Sequence, residues 1–336
     1  MGVLDRIRGL IKSKSNPPIV HWLHPGNAQG EPFVVGQHYL RLWASDMYLE
    51  YDRIGPWGVC PGVQSLVVLT FGDQRLEVPG FIGPGKIAQT QAGGRDAIRV
   101  ERQVLTQQLP YRGGLVEVES VLLRLPGENH FQAFTTFLEG VAETLVLGEI
   151  SASLKIAEKV GNGVADLLSL SDKGRLMLGW MTDFPDQGDT ALHSGFVLLV
   201  PHDSMSPQDL ASLKVKKGLL YQPKRGLDVR VEGLDFLLLE FERILTRVDW
   251  EEISSIAKPL AKARDYADEG SIDQARAFYR AAILAVRQTR DLTLTDKEAA
   301  IAKVNSWMPA VGAPSLGVAR SSRQNPYAPA LEDEKG

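Results

Sequence analysis

The 336-residue chain has one cysteine, Cys60. An intramolecular disulfide is excluded, no thiol cluster exists to hold zinc, and the composition suits a reducing cytoplasm. Positive charge is not in excess, since 37 basic against 41 acidic side chains leave a net charge of −4. Proteins that track a nucleic-acid backbone carry a basic surplus, so nucleic acid is not an expected partner. No run of about 18 apolar residues occurs, and none reads as a membrane-spanning helix. The first residues lack the continuous apolar stretch and small-residue cleavage site of a secretory signal. H-E-x-x-H, G-x-S-x-G and an Asp-rich calcium loop are all missing, and no metal or cofactor is expected.

What remains is ordinary for a folded protein: 44% apolar and 23% charged residues, in a length that suits two domains or one domain with an appendage. In the segment 1–14, Leu4, Ile7, Leu10 and Ile11 recur at helical spacing among Arg6, Arg8, Lys12 and Lys14. Such an amphipathic helix is short enough to be marginal alone in water, so something must cover its apolar face. Three covers fit: the chain's own core, a partner groove, or an anionic membrane surface.

Beyond Pro17 and Pro18 the chain turns rich in Gly, Pro and β-branched residues. VQSLVVLTF, Gly72-Asp73 and QRLEV make a hairpin whose first strand reads as buried on both faces. A second hairpin is expected from Arg99–Leu109 through Gly113 and Gly114 into LVEVESVLLRL. Residues 38–53 read as a helix or a bent strand. Helical spacing returns over 129–170, where small residues such as Gly148, Ser151, Gly161 and Gly163 suit tight packing. Strands are expected at 175–184, 195–201 and 227–241, with a helix started by Ser206-Pro207 between the last two. From about 250 three helices follow, over 256–268, 272–289 and 296–307, the last opened by a capping box of Thr295 and Glu298. The tail beyond Trp307 is rich in Pro, Gly, Ser and Ala and reads as disordered. Hairpins without regular β–α–β alternation predict an α+β fold: a mostly antiparallel, β-rich body over 18–248 with inserted helices, and a helical appendage over 250–307.

Tyr266, Gly270, Ala275, Tyr279 and Ala282 fall at the spacings of one tetratricopeptide repeat, and this helical hairpin at about 256–289 resembles that family. The resemblance covers about a tenth of the chain. Pro259 stands where an aromatic is usual, and no proline ends the second helix. It implies two antiparallel helices closed by small residues, with a docking surface for which Tyr266 and Tyr279 are candidate contacts.

Other motifs are weaker. Gly80, Gly85 and Lys86 spell a phosphate loop after a strand ending at Val78, but Ile87 replaces the hydroxyl that would reach magnesium. Cys60 sits in a Gly- and Pro-flanked loop near Trp57, with His21, His24 or His38 as bases to activate it. His21 and His24 are spaced as two metal ligands on one helical turn, although Pro25 and Gly26 favour a turn. Asp183, Asp186 and Asp189, with His193 nearby, form an acid cluster that equally describes a solvated turn.

The reading is a non-catalytic, bacterial-type cytoplasmic adaptor or regulatory subunit that binds another protein. The alternatives are a membrane-acting effector anchored by 1–14, with 144–170 as a rearranging segment, and a hydrolase of unrecognised family using Cys60 or a histidine.

Overall fold

A computed structural model describes residues 17–24, 30–50, 59–71, 74–82, 97–126 and 175–308. Its strands are β1 (Ile19–Leu23), β2 (Tyr39–Glu50), β3 (Val59–Phe71), β4 (Gln74–Ile82), β5 (Ala97–Val104), β6 (Leu109–Pro110), β7 (Leu115–Pro126), β8 (Arg175–Phe184) and β9 (Gly195–Val200). After α1 (Pro207–Ser212) come β10 (Lys214–Lys216), β11 (Leu219–Lys224), β12 (Leu227–Arg230) and β13 (Phe236–Ile244). The helices α2 (Ser254–Asp268), α3 (Ile272–Gln288) and α4 (Leu294–Trp307) complete the described chain. This is an α+β fold with antiparallel sheets, as the hairpin-rich sequence implies.

Two sheets face one another. One runs β1-β9-β13-β2-β5, with β6 also on β2; the other runs β4-β3-β7-β8. Side chains from both fill the space between them, among them Leu42, Met47, Val67, Val118, Trp180, Val197 and Phe241. The centre of the larger sheet is apolar on both faces. In β13, Leu237, Leu239 and Phe241 enter that core, while Phe236 and Leu238 enter a second one. The small sheet β10-β11-β12 and α1 close this second core through Leu210, Leu213, Leu220 and Val231.

β2 is the bent strand among the alternatives read for 38–53. Its inward set runs Leu40, Leu42, Ala44 and then Met47, Leu49. The parity changes at a bulge, because Leu238 pairs with Asp46 but Leu239 pairs with Ala44. Ser45 is the extra residue, and both Ser45 and Asp46 are fully buried.

The β3–β4 hairpin forms as read, with Phe71 opposite Gln74 across the two-residue connection. Val67 and Val68 are both fully buried, as the apolar run implies. The second hairpin does not form. β5 pairs with β2 and β7 with β3 and β8, so the two segments lie in different sheets. The segment 227–241 is two strands, divided near Gly233 (φ +73) and belonging to different sheets. Gly80 lies inside β4, not after its end. A Cβ there would sit 2.0 Å from Leu105 O and 2.4 Å from Ser65 Oγ, so close packing accounts for the glycine. Gly85 and Lys86 lie outside the described residues, as do 1–14, Trp57, 129–170, His130 and the tail beyond 308.

Ser206 Oγ accepts from Asp209 N–H at 3.1 Å and caps α1 as expected. The cap of α4 is displaced: Thr293, not Thr295, accepts from the amide three residues on, at Asp296. α2 ends in a Schellman turn, with Ser271 N–H on Tyr266 O, Gly270 N–H on Ala267 O, and Gly270 at φ +78. Among the described residues no helix is long and apolar enough to cross a membrane.

Candidate functional site

The edge strand β1 pairs with β9, and strand periodicity puts Trp22 and His24 on one face and His21 on the other. This corrects the helical-turn or tight-turn reading of His21 and His24: three residues apart on a strand, they cannot share a ligand. Trp22 packs in the sandwich core, edge-on to Phe184 at 5.8 Å between ring centres. His24 stacks beside it at 6.1 Å. The end of β8 brings Thr182 and Asp183, and the loop after it brings Asp189, Thr190, Ala191 and His193. Together these line a cavity of about 340 Å³.

Two members of the acid cluster therefore meet His193, and with it His24. Asp186 lies elsewhere, near Tyr111, whose phenol it helps to raise after burial. His193 Nδ1 is 2.6 Å from Ala191 O. A carbonyl only accepts, so Nδ1 is the donor in this contact. His24 Nδ1 is buried without a partner, under two glycines: a Cβ on Gly195 would lie 2.8 Å from it, and one on Gly30 3.2 Å.

Among the described residues the lining of this cavity holds two carboxylates, Asp183 and Asp189, and no Lys or Arg. Among the described residues no hydroxyl is hydrogen-bonded to either imidazole, and no three His, Cys, Asp or Glu side chains converge as for a metal ion. His38 is nearly buried and belongs to a different region. Its Nδ1 accepts from Val34 N–H at 2.7 Å, its Nε2 lies 3.2 Å from Arg243 Nη1, and burial lowers its pKa. His202 lies on the surface against Asp203. Cys60 is in β3 opposite Leu125, not in a loop.

A denser polar assembly joins the helices to the sandwich. Tyr39, the first residue of β2, donates to Asp296 Oδ2 at 2.6 Å and accepts from Thr293 N–H at 3.1 Å. Arg247 N–H donates to the same carboxylate oxygen at 2.7 Å. Burial first, and then the bond to Asp296, raise the Tyr39 pKa far above that of a free phenol. The Arg247 guanidinium pairs with Asp249 at 2.9 Å and lies 4.0 Å from Asp291. Tyr39, Arg247, Asp291, Thr293 and Asp296 are all buried. Their donors and acceptors are satisfied largely by one another across the two bodies, which makes separation costly.

Of the contacts suggested by the repeat-like spacing, Tyr266 is partly buried and stacks on Phe278 at 5.3 Å. Tyr279 lies 5% exposed in the bundle core beside the fully buried Ala275 and Ala282. Leu4, Ile7, Leu10 and Ile11 lie outside the described residues. The joint residues carried no sequence signal except one: Thr293 and Asp296 are themselves a cap-and-acid pair, two residues before the pair that was read.

No family model, curated protein or solved structure matches the chain.

Proposed function

We propose that this chain is a protein-binding adaptor or regulatory subunit without catalytic activity, in which the sandwich is a platform and the helical bundle is the presented element. The observation that carries the reading is the buried joint of Tyr39, Thr293, Asp296 and Arg247. A bundle tethered by a linker would lose orientational freedom on binding. One locked to its platform has lost it already, and preorganisation of this kind favours affinity. The repeat-like hairpin of α2 and α3 fits the role, as its helices close on Ala275 and Ala282 and leave Leu284 53% exposed on the outer side.

The test is affinity capture from a native lysate by the tagged full chain, read by quantitative mass spectrometry. The reading expects a partner in near-stoichiometric amount, retained less by Asp296→Ala. Absence of any such partner would contradict it.

A further inference from the structure

We propose that the cavity between β1 and β8 is a ligand site, and that its ligand is a small organic amine with an apolar body. β1 and β8 are edge strands of the two facing sheets, and they meet where Trp22 lies 5.8 Å from Phe184 between ring centres. Strand alternation puts Trp22 and His24 on the inner face of β1, and Thr182 and Phe184 on the inner face of β8. The loop after β8 adds Asp189, Thr190 and His193 at the mouth. Phe184 is 6% exposed and is backed by Trp180 and Phe241, at 6.3 and 5.6 Å. The aromatic floor is therefore held by the protein's own packing, as in sites that exist before the ligand arrives. The cavity lies apart from the joint with the helices, and the adaptor reading makes no use of it.

Size, lining and charge choose the occupant. The volume of about 340 Å³ falls at the low end of small-molecule sites and, at roughly 30 Å³ per water-sized group, holds about ten non-hydrogen atoms. Among the described residues, only the imidazoles of His24 and His193 could carry positive charge in the lining. With no Lys or Arg to meet it, a carboxylate or phosphate ligand is disfavoured, and no three ligating side chains converge for a metal ion. Asp183 alternates with Thr182 and Phe184, so it stands on the outer face of β8 opposite Glu117, which Arg75 meets at 3.5 Å. Asp189 is different: it lies in the loop at the mouth and forms no ion pair among the described residues. Its carboxylate takes the ammonium, the Thr182 and Thr190 hydroxyls are further acceptors, and the apolar body rests on Trp22 and Phe184. Aromatic faces also attract a cation, so the floor and the mouth favour the same ligand.

The experiment is calorimetric titration of the full chain at neutral pH with three probes that share one ring: 2-phenylethylamine, 2-phenylethanol and phenylacetate. Asp189→Asn removes the charge at the mouth with little change of shape. Asp186→Asn removes the same charge from the same loop but outside the cavity. Both positions are exposed, and circular dichroism checks that each variant folds. Saturable binding of the amine, about tenfold tighter than the alcohol and with no saturation by phenylacetate, is the expected result. Asp189→Asn should weaken the amine about threefold or more, while Asp186→Asn leaves it unchanged. No saturation by the amine, equal or tighter binding of the alcohol or the acid, or equal effects of the two variants would overturn the proposal. Capture of a partner from a lysate bears on the adaptor reading alone, so the two claims stand or fall separately.

Discussion

Asp46 is a carboxylate with no exposure to solvent, and its surroundings say what it is for. The bulge at Ser45 turns it toward the small sheet, where it accepts Leu220 N–H at 2.9 Å and both oxygens lie 3.0 Å from Arg230 Nη2. Burial still outweighs these partners and raises its pKa. Removing the carboxylate leaves Leu220 N–H without its acceptor and Arg230 with Glu101 as its remaining ion pair, so Asp46→Ala should lower stability by about 1–3 kcal/mol in urea unfolding. His38 gives a pH dependence of definite sign. Its folded pKa lies below the ordinary 6.5, so the unfolded chain binds the proton more readily. Stability should fall as pH drops below 6.5. His38→Asn keeps an acceptor for Val34 N–H but does not titrate there. The variant's stability curve from about pH 7 to pH 5 should be flatter than that of wild type, and an unchanged slope would show that His38 is not responsible.

Elements whose signals are local were legible in the sequence. The β3–β4 hairpin, the Ser206 cap and the glycine between α2 and α3 each depend on a few neighbouring residues. Gly270→Ala forces a side chain into left-handed backbone at φ +78 and should cost about 1–2 kcal/mol, read as a lower midpoint in chemical unfolding. Thr293→Ala should cost about 1 kcal/mol, whereas Thr295→Ala should cost clearly less, since Thr295 is exposed and does not cap the helix. Pairing between distant segments was not legible. LVEVESVLLRL suits any sheet, and nothing within it says that β7 joins β3 and β8 while β5 crosses to β2. The cavity was visible in part: Asp183, Asp189 and His193 are close in sequence, but His24 and Trp22 reach them only through the pairing of β1 with β9. Tyr39 and Asp296, 257 positions apart, had no means of announcing each other.

At the scale of the molecule, the described residues form three cores: one between the main sheets, one beneath the small sheet, and one within the helices. The third is separate from the other two, and the buried joint of Tyr39, Thr293, Asp296 and Arg247 connects the helices to the sandwich. Polar joints are strong when complete and fail when one member is removed. In the adaptor reading proposed above the bundle must move with its platform, and that depends on the joint. Scanning calorimetry of the full chain and of Asp296→Ala tests it most directly. The account predicts one cooperative transition for the wild type, with calorimetric and van't Hoff enthalpies equal, and two resolved transitions for Asp296→Ala as the bundle and sandwich melt apart. Two separate transitions already in the wild type, or a variant indistinguishable from it, would contradict the claim that the buried joint makes the two bodies one.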